Sequence, residues 1–345
     1  MTIKQASKLK ITFVDFWDDF NETHEAQFLS YFSKNFQVEQ DAENPDVVVY
    51  SCFGTVHQKY ENALRIFFTG ENLKPDFNVC DYSFGTVKLD YRGKHLWIPF
   101  SEFMMKRPAV VNTPIEPALA ERKFCSFIYS QATIGEGTQL RKQFCEQLMR
   151  EYKHVDCPGR VLHNMDAPEL AARSDAANWL QSKRHFLGKY KFNIAFENSS
   201  APGYITEKLT DAYLGNTVPI YWGGDGDTAH YPKESMICAN DYPTTEALIA
   251  RIKEVDENNE LYLRMLAANP LRTENNCPAP DFDTQIADFL KHAVEENIRE
   301  HREPRATNFN TLHAEFEQFK RHPYVKAGMA VYHGVQKIKR LFGLK

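Results

Sequence analysis

Short apolar runs rich in β-branched and aromatic residues alternate along this chain with stretches whose apolar positions recur every three or four residues. That rhythm predicts βα units on a mostly parallel sheet. In the first third, strands are expected at 10–16, 46–51 and 65–69, and a helix at 25–35 with Phe28, Leu29 and Phe32 on one face. Val47, Val48, Val49 and Tyr50 show no polar alternation, which predicts a strand covered on both faces. A second series opens near Arg122. It reads as a strand at 124–129, a polar glycine-containing loop at 131–137, and a helix carrying Leu140, Phe144, Leu148 and Tyr152 at steps of four. A strand at 192–196, a helix at 207–214 and a strand at 217–222 follow. Gly215 stands where a helix would be capped, and Pro219 makes the last strand irregular. A short strand at 236–238 and helices at 245–254, 258–267 and 283–295 complete the pattern.

Between the two series, prolines 108, 114 and 117 punctuate residues 101–120, a spacing that predicts a linker with a boundary near residue 118. At 345 residues the chain has room for two domains, at roughly 150 residues per domain. The expected organisation is an α/β unit at 1–118, a second at 119–305, and a C-terminal helical segment at 306–345. Two such units leave a cleft between them, and ligands collect at the carboxyl ends of the strands.

Composition narrows the function classes. Forty-one basic against 46 acidic residues give a net charge of −5, which argues against a general nucleic-acid binder. No run of about 18 apolar residues is present, so no membrane-spanning helix is expected. The first ten residues carry positive charge without an apolar core, so no signal peptide is expected either. Seven scattered cysteines without paired C-x-x-C spacing read as reduced thiols of a cytosolic protein, and no metal site is expected.

The densest chemistry lies at 192–209, FNIAFENSSAPGYITEKL. A buried strand runs into a polar Pro-Gly loop and then a helix start, with Thr206 placed as N-cap and Glu207 and Lys208 in the first turn. A helix N-terminus presents unpaired N–H groups and partial positive charge, which suits a phosphate, and Lys208 adds a full charge beside them. Asn198, Tyr204 and Glu207 offer donors and acceptors for sugar hydroxyls. An ordinary βα loop with a solvated Glu-Lys pair is the alternative, since short motifs match by chance often.

This segment, with Asp211-Ala212-Tyr213 and Val218-Pro219-Ile220-Tyr221-Trp222-Gly223, resembles the donor-binding motif of the bacterial α1,3-fucosyltransferase family. Two further blocks agree in order: Phe67-Phe68-Thr69-Gly70-Glu71-Asn72 with Pro75-Asp76-Phe77-Asn78, and Phe124-Cys125-Ser126-Phe127-Ile128-Tyr129-Ser130 leading to Arg141. The resemblance spans roughly residues 45–240 and implies a GT-B fold, two Rossmann-like α/β domains facing each other across a cleft. It also implies an enzyme that moves fucose from GDP-fucose, with inversion, onto the 3-OH of GlcNAc in N-acetyllactosamine-type surface glycans, giving a Lewis X-type product. Glu71 is similar to the family's proposed base, and a carboxylate in that role contributes typically about 10²–10⁴-fold. A solvent-facing Glu in a glycine turn is the other reading of that residue. Arg141 and Lys208 correspond to the family's diphosphate-binding cations, each charge pair worth about 4 kcal/mol at ~4 Å and an effective dielectric near 20, before desolvation. A solvated helix residue beside Lys142 is the alternative for Arg141. Asn198, Tyr204 and Glu207 match positions that contact the nucleotide sugar, while Glu197 is expected to brace the loop. No cofactor is implied, a divalent cation being at most stimulatory. An α1,4 linkage, another nucleotide sugar, and a non-catalytic binding module are the rival functions.

Three features carry less. Asp225-Gly226-Asp227 has the D-x-D form of a metal site but sits in a hydrophilic turn. His154 and Cys157 lack the further ligands of a zinc site. His163 and Asn164 stand where the family places its base-binding loop, within a divergent insertion. The tail at 324–345 carries Lys326, Lys337, Lys339, Arg340 and Lys345 with no acidic residue, and apolar residues at steps of three and four. It reads either as a basic amphipathic helix for an anionic membrane surface or as a closing helix that packs on the domains. The family's animal relatives carry an N-terminal anchor; its absence here gives the expectation of a bacterial, cytoplasmic enzyme, peripheral on the inner membrane.

Overall fold

The computed structural model describes residues 8–100, 122–131, 133, 135–171, 176–224, 231–272, 275, 281–299, 323–325, 328 and 331. The first sheet holds six parallel strands in the order β2-β1-β3-β4-β5-β6: β1 Leu9–Val14, β2 Val38–Gln40, β3 Val47–Tyr50, β4 Leu64–Thr69, β5 Tyr82–Gly85 and β6 His95–Trp97. Helices α1 (Phe20–Thr23) and α2 (Glu25–Ser33) follow β1. Every residue of β3 and β4 is buried, as the continuous apolar run requires, and the one charged member, Arg65, is satisfied by the carbonyls of Gln58, Tyr60 and Val79.

The second sheet has the parallel order β11-β10-β9-β7-β8: β7 Lys123–Ser126, β8 Val155–Asp156, β9 Tyr190–Phe196, β10 Val218–Trp222 and β11 Ile237–Cys238. Its helices are α3 Glu136–Glu151, α4 Ala176–Leu187, α5 Glu207–Leu214, α6 Thr245–Glu257 and α7 Asn259–Ala267. Thr244 and Asn258 cap α6 and α7 by accepting from Ala247 N and Leu261 N.

The last helix, α8 (Phe282–Arg299), departs from the expected grouping of residues 119–305. Its Phe282, Ile286, Leu290, Ala293 and Val294 enter the core of the first sheet, among Leu9, Ile11, Phe28, Val47 and Phe84. Hydrogen bonds from Tyr31 to Asp283 (3.0 Å) and from Tyr82 to Glu296 (3.0 Å) fix it there. The chain thus returns to the first unit after building the second.

Strand β1 stops at Val14, two residues short of its expected end, because Asp15 takes a left-handed backbone, φ 60°. Strands β2, β5, β6 and β8 and helix α4 were not foreseen; the strands are two to four residues long, too short to show a period. The linker at 101–120, the boundary near 118, the 225–227 turn and nearly all of the 306–345 tail lie outside the described residues. Among those described, no helix is long and apolar enough to cross a membrane, and six cysteines are free thiols.

The two units meet at their carboxyl edges. Lys88 N donates to Pro202 O (2.7 Å), Trp97 Nε1 to Gly203 O (3.1 Å), and Asn72 Nδ2 to Ser199 Oγ (2.7 Å). The first comes from the loop after β5, the second from the end of β6 and the third from the loop after β4, and each meets the loop after β9. The ligand-binding edges of the two sheets therefore face one another.

Candidate functional site

The loop leaving β9 is organised around one buried carboxylate. Glu197 is fully buried; its Oε1 accepts from Thr206 N (2.8 Å) and its Oε2 from Thr206 Oγ1 (2.6 Å). Thr206 is the N-cap residue of α5, but its hydroxyl makes no capping bond. The expected capping role is thus corrected: Glu197 competes for that hydroxyl, and a charged acceptor wins. Lys208 Nζ sits 3.1 Å from Glu197 Oε2, 3.3 Å from Glu207 Oε1 and 2.9 Å from Thr206 Oγ1. Glu197 braces the loop, as expected, by holding the ammonium from behind.

Opposite this loop, α3 presents Arg141. The side chain is 1% exposed, not solvated. Its guanidinium lies 3.9 Å above the Tyr129 ring and donates to Asn198 Oδ1 (2.8 Å), to the carbonyl of Phe196 and to that of Gln131, leaving Nε without a partner. Asn198 Oδ1 therefore aims the cation. The glycines before α3 make this approach possible. Gly135 has φ 87°, and a Cβ there would fall 2.2 Å from Asn198 O; one at Gly137 would fall 2.2 Å from Glu197 O.

Arg141, Asn198, Glu207 and Lys208 all line one cavity of about 350 Å³. Trp179, Lys183 and Asp211 complete its inner wall, and Phe100 from the first unit closes its outer side. Tyr204 is buried and does not line the cavity. Burial raises its hydroxyl pKa, and the charges of Glu197, Lys208, Glu71 and Glu207 act on it together. Glu71 is exposed on the turn after β4. Its backbone N–H is fixed by Thr69 Oγ1 (3.0 Å), while its carboxylate has no partner among the described residues. The neighbouring Gly70 lies under the Phe100 ring, close enough that a Cβ would come within 2.5 Å of it. Glu71 itself does not line the cavity; its neighbour Gly70 touches Phe100, which does.

The charges within the cavity are internally matched. Burial opposes ionisation of Glu207, but Lys208, Lys183 and the Thr206 hydroxyl outweigh it and hold its pKa at about 2. Burial pushes the Glu197 carboxyl above its ordinary range, against the pull of Lys208. Lys183 Nζ is paired with Asp211 Oδ2 at 2.7 Å, and Asp211 Oδ1 has no partner. With both of its carboxylates in contact, Lys208 is held fully charged. Glu197→Gln removes one of them and is expected to lower stability by about 3 kcal/mol. Thermal melting checks this; an unchanged midpoint would show that the brace carries no energy.

Trp179, Lys183, Asp211 and Phe100 were not foreseen as cavity residues. The i, i+4 step from Trp179 to Lys183 was a weak available signal for α4, but the cavity face could not be told from it. Asn164 spends its side chain on Cys157 N and Val155 O, and neither it nor His163 lines the cavity. Among the described residues, no group of three or more His, Cys, Asp or Glu could hold a metal ion.

Two family models match the chain: "Alpha-(1,3)-fucosyltransferase FucT N-terminal domain" over residues 11–104, and "Glycosyltransferase family 10 (fucosyltransferase) C-term" over residues 121–269. The chain is 28% identical over 316 residues to the alpha-(1,3)-fucosyltransferase FucT of Helicobacter pylori, a match that covers 79% of this chain and 62% of that protein. Crystal structures of an α1,3-fucosyltransferase with GDP and with GDP-fucose superpose with TM-scores of 0.66 and 0.64 at 26% identity, covering 86% of this chain and 93% of theirs.

Proposed function

We propose that this chain, which belongs to the fucosyltransferases of glycosyltransferase family 10, moves fucose from GDP-fucose with inversion onto the 3-OH of GlcNAc in an N-acetyllactosamine-type glycan, giving a Lewis X-type product. The observation that supports the reading is one cavity lined by Arg141 and Lys208 and by Phe100, the ring that covers Gly70 beside Glu71. Inversion by one displacement needs a base on the acceptor side and charge neutralisation on the leaving-group side, and the two units supply these separately.

In this mechanism Glu71 takes the proton of the attacking hydroxyl as that oxygen bonds to the anomeric carbon. The glycosidic C–O bond to the β-phosphate breaks on the far face, and the electron pair stays with GDP. Arg141, aimed by Asn198 and backed by the Tyr129 ring, and Lys208, held by Glu197, stabilise the charge that develops there. The amide groups in the first turn of α5 add partial positive charge. Glu207 and Asn198, both lining the cavity, orient the donor sugar, and Tyr204 supports their loop from its buried position.

These groups supply the positive charge themselves, so the proposed reaction requires no cofactor. Turnover is therefore expected to persist in excess EDTA, with added Mg²⁺ raising it at most modestly; abolition by the chelator and recovery with a divalent ion would overturn this. The remaining partners proposed are the GlcNAc-containing oligosaccharide and, through the basic tail, an anionic membrane surface on the cytoplasmic side, with no role for nucleic acid. Incubation with GDP-fucose and N-acetyllactosamine, followed by linkage analysis, tests the whole reading. An α1,4 product, transfer from another nucleotide sugar, or nucleotide binding without turnover would each replace it.

A further inference from the structure

Asp15 and His57 form a buried pair outside the cavity. The Asp15 side chain is 1% exposed; its Oδ1 accepts from Val56 N (2.8 Å), and its Oδ2 from His57 N (2.9 Å) while lying 2.7 Å from His57 Nδ1. Burial opposes ionisation of this carboxyl, but the His57 ring and the two backbone amides lower its pKa all the same. The left-handed backbone of Asp15 aims it at these donors, and Gly54 makes room, since a Cβ there would lie 2.3 Å from Oδ1. The imidazole also stacks on Tyr50 at 3.9 Å and 15°. The ring's orientation is therefore set: Nδ1 faces the carboxylate, and in the neutral tautomer that donates Nδ1–H to it, Nε2 carries a lone pair. That nitrogen has no hydrogen-bond partner among the described residues. Nε2 is not among the buried unpartnered atoms, so it meets solvent, where a ligand hydroxyl can reach it.

Position supplies the second observation. Asp15 follows β1, His57 follows β3 and Glu71 follows β4, and β3 lies between the other two in the sheet. All three residues stand on the carboxyl edge that faces the second unit. The loops after β3 and β4 touch: Cys52 Sγ lies 3.4 Å from Thr69 Oγ1, which fixes the backbone N–H of Glu71. The same edge carries three of the exposed large apolar side chains, Phe53, Val56 and Leu73. Sugar rings have an apolar C–H face and a polar rim, so an exposed aromatic next to an oriented hydrogen-bond acceptor is the complement they require.

We infer that the Asp15–His57 pair is an acceptor-positioning site: His57 Nε2 accepts a hydrogen bond from a hydroxyl of the acceptor saccharide other than the one that reacts, and Phe53 lies against that sugar's apolar face. The inference rests on the proposed transfer to a saccharide. His57→Phe keeps the stacking on Tyr50 and removes both ring nitrogens. It is expected to raise KM for N-acetyllactosamine roughly tenfold, with KM for GDP-fucose and acceptor-independent GDP-fucose hydrolysis unchanged. His57→Gln, which keeps an acceptor atom, recovers part of the loss, and Phe53→Ala raises the same KM severalfold without changing the melting midpoint. A folded His57→Phe protein with wild-type acceptor KM overturns the inference, as does a parallel rise in both KM values, which marks a structural role. Should His57→Phe fail to fold, wild-type acceptor KM in both His57→Gln and Phe53→Ala overturns it instead. A wild type that transfers fucose to no saccharide overturns the proposed function and this inference together; a transferring wild type matched by the variants overturns the inference alone.

Discussion

Glutamine at position 71 will cut fucose transfer by about 10²–10⁴-fold while leaving GDP affinity nearly unchanged. The substitution is isosteric and the residue exposed, so no core contact is lost. The carboxylate makes no hydrogen bond or ion pair among the described residues, so glutamine breaks none. In the proposed reaction GDP is held by Arg141 and Lys208, which glutamine at 71 does not touch. Initial rates with saturating donor, beside a calorimetric GDP titration, make the comparison. A near-wild-type kcat would mean that another group takes the proton.

Lys208→Ala will weaken GDP binding by tenfold or more, given about 4 kcal/mol for one close charge pair before desolvation, and will lower turnover with it. The variant will also melt earlier. Lys208 stands between Glu197 and Glu207, and its loss leaves two neighbouring carboxylates without their shared cation, a cost of about 3–5 kcal/mol. Stability and binding can be separated by the double variant Glu197→Gln/Lys208→Met, which removes a buried charge of each sign. Its melting midpoint should recover much of the loss, whereas its GDP affinity should not. Unchanged nucleotide affinity in the single variant would remove Lys208 from the site.

Much of this architecture was legible from local pattern. The continuous apolar run at 47–50 and the 192–196 segment became buried parallel strands, and the apolar steps from Leu140 to Tyr152 became α3. The polar loop and the helix start carrying Glu207 and Lys208 were visible, and both residues line the cavity. Other roles were not visible, because they depend on atoms far apart in the chain. Thr206 had the form of an N-cap, yet its hydroxyl went to Glu197, whose burial no spacing announces. Arg141 had the surroundings of a solvated helix residue beside Lys142, and Asn198 those of a sugar ligand. Packing placed one against the other over the Tyr129 ring.

Helix α8 shows where the division falls. Its apolar positions at 282, 286, 290 and 294 predict a helix with one buried stripe, since the 3.6-residue period is a property of the backbone. The same stripe would serve against either sheet, because hydrophobic burial has no direction and rewards any apolar surface that fits. The choice of the first sheet, like the pairing of Arg141 with Asn198, was made by three-dimensional packing. By itself, then, the sequence determined the order of strands and helices and the chemistry available in the loops. Which of those groups face a common space was decided only by the tertiary structure, since charge and hydrogen bonding act over a few ångströms in space, whatever the separation along the chain.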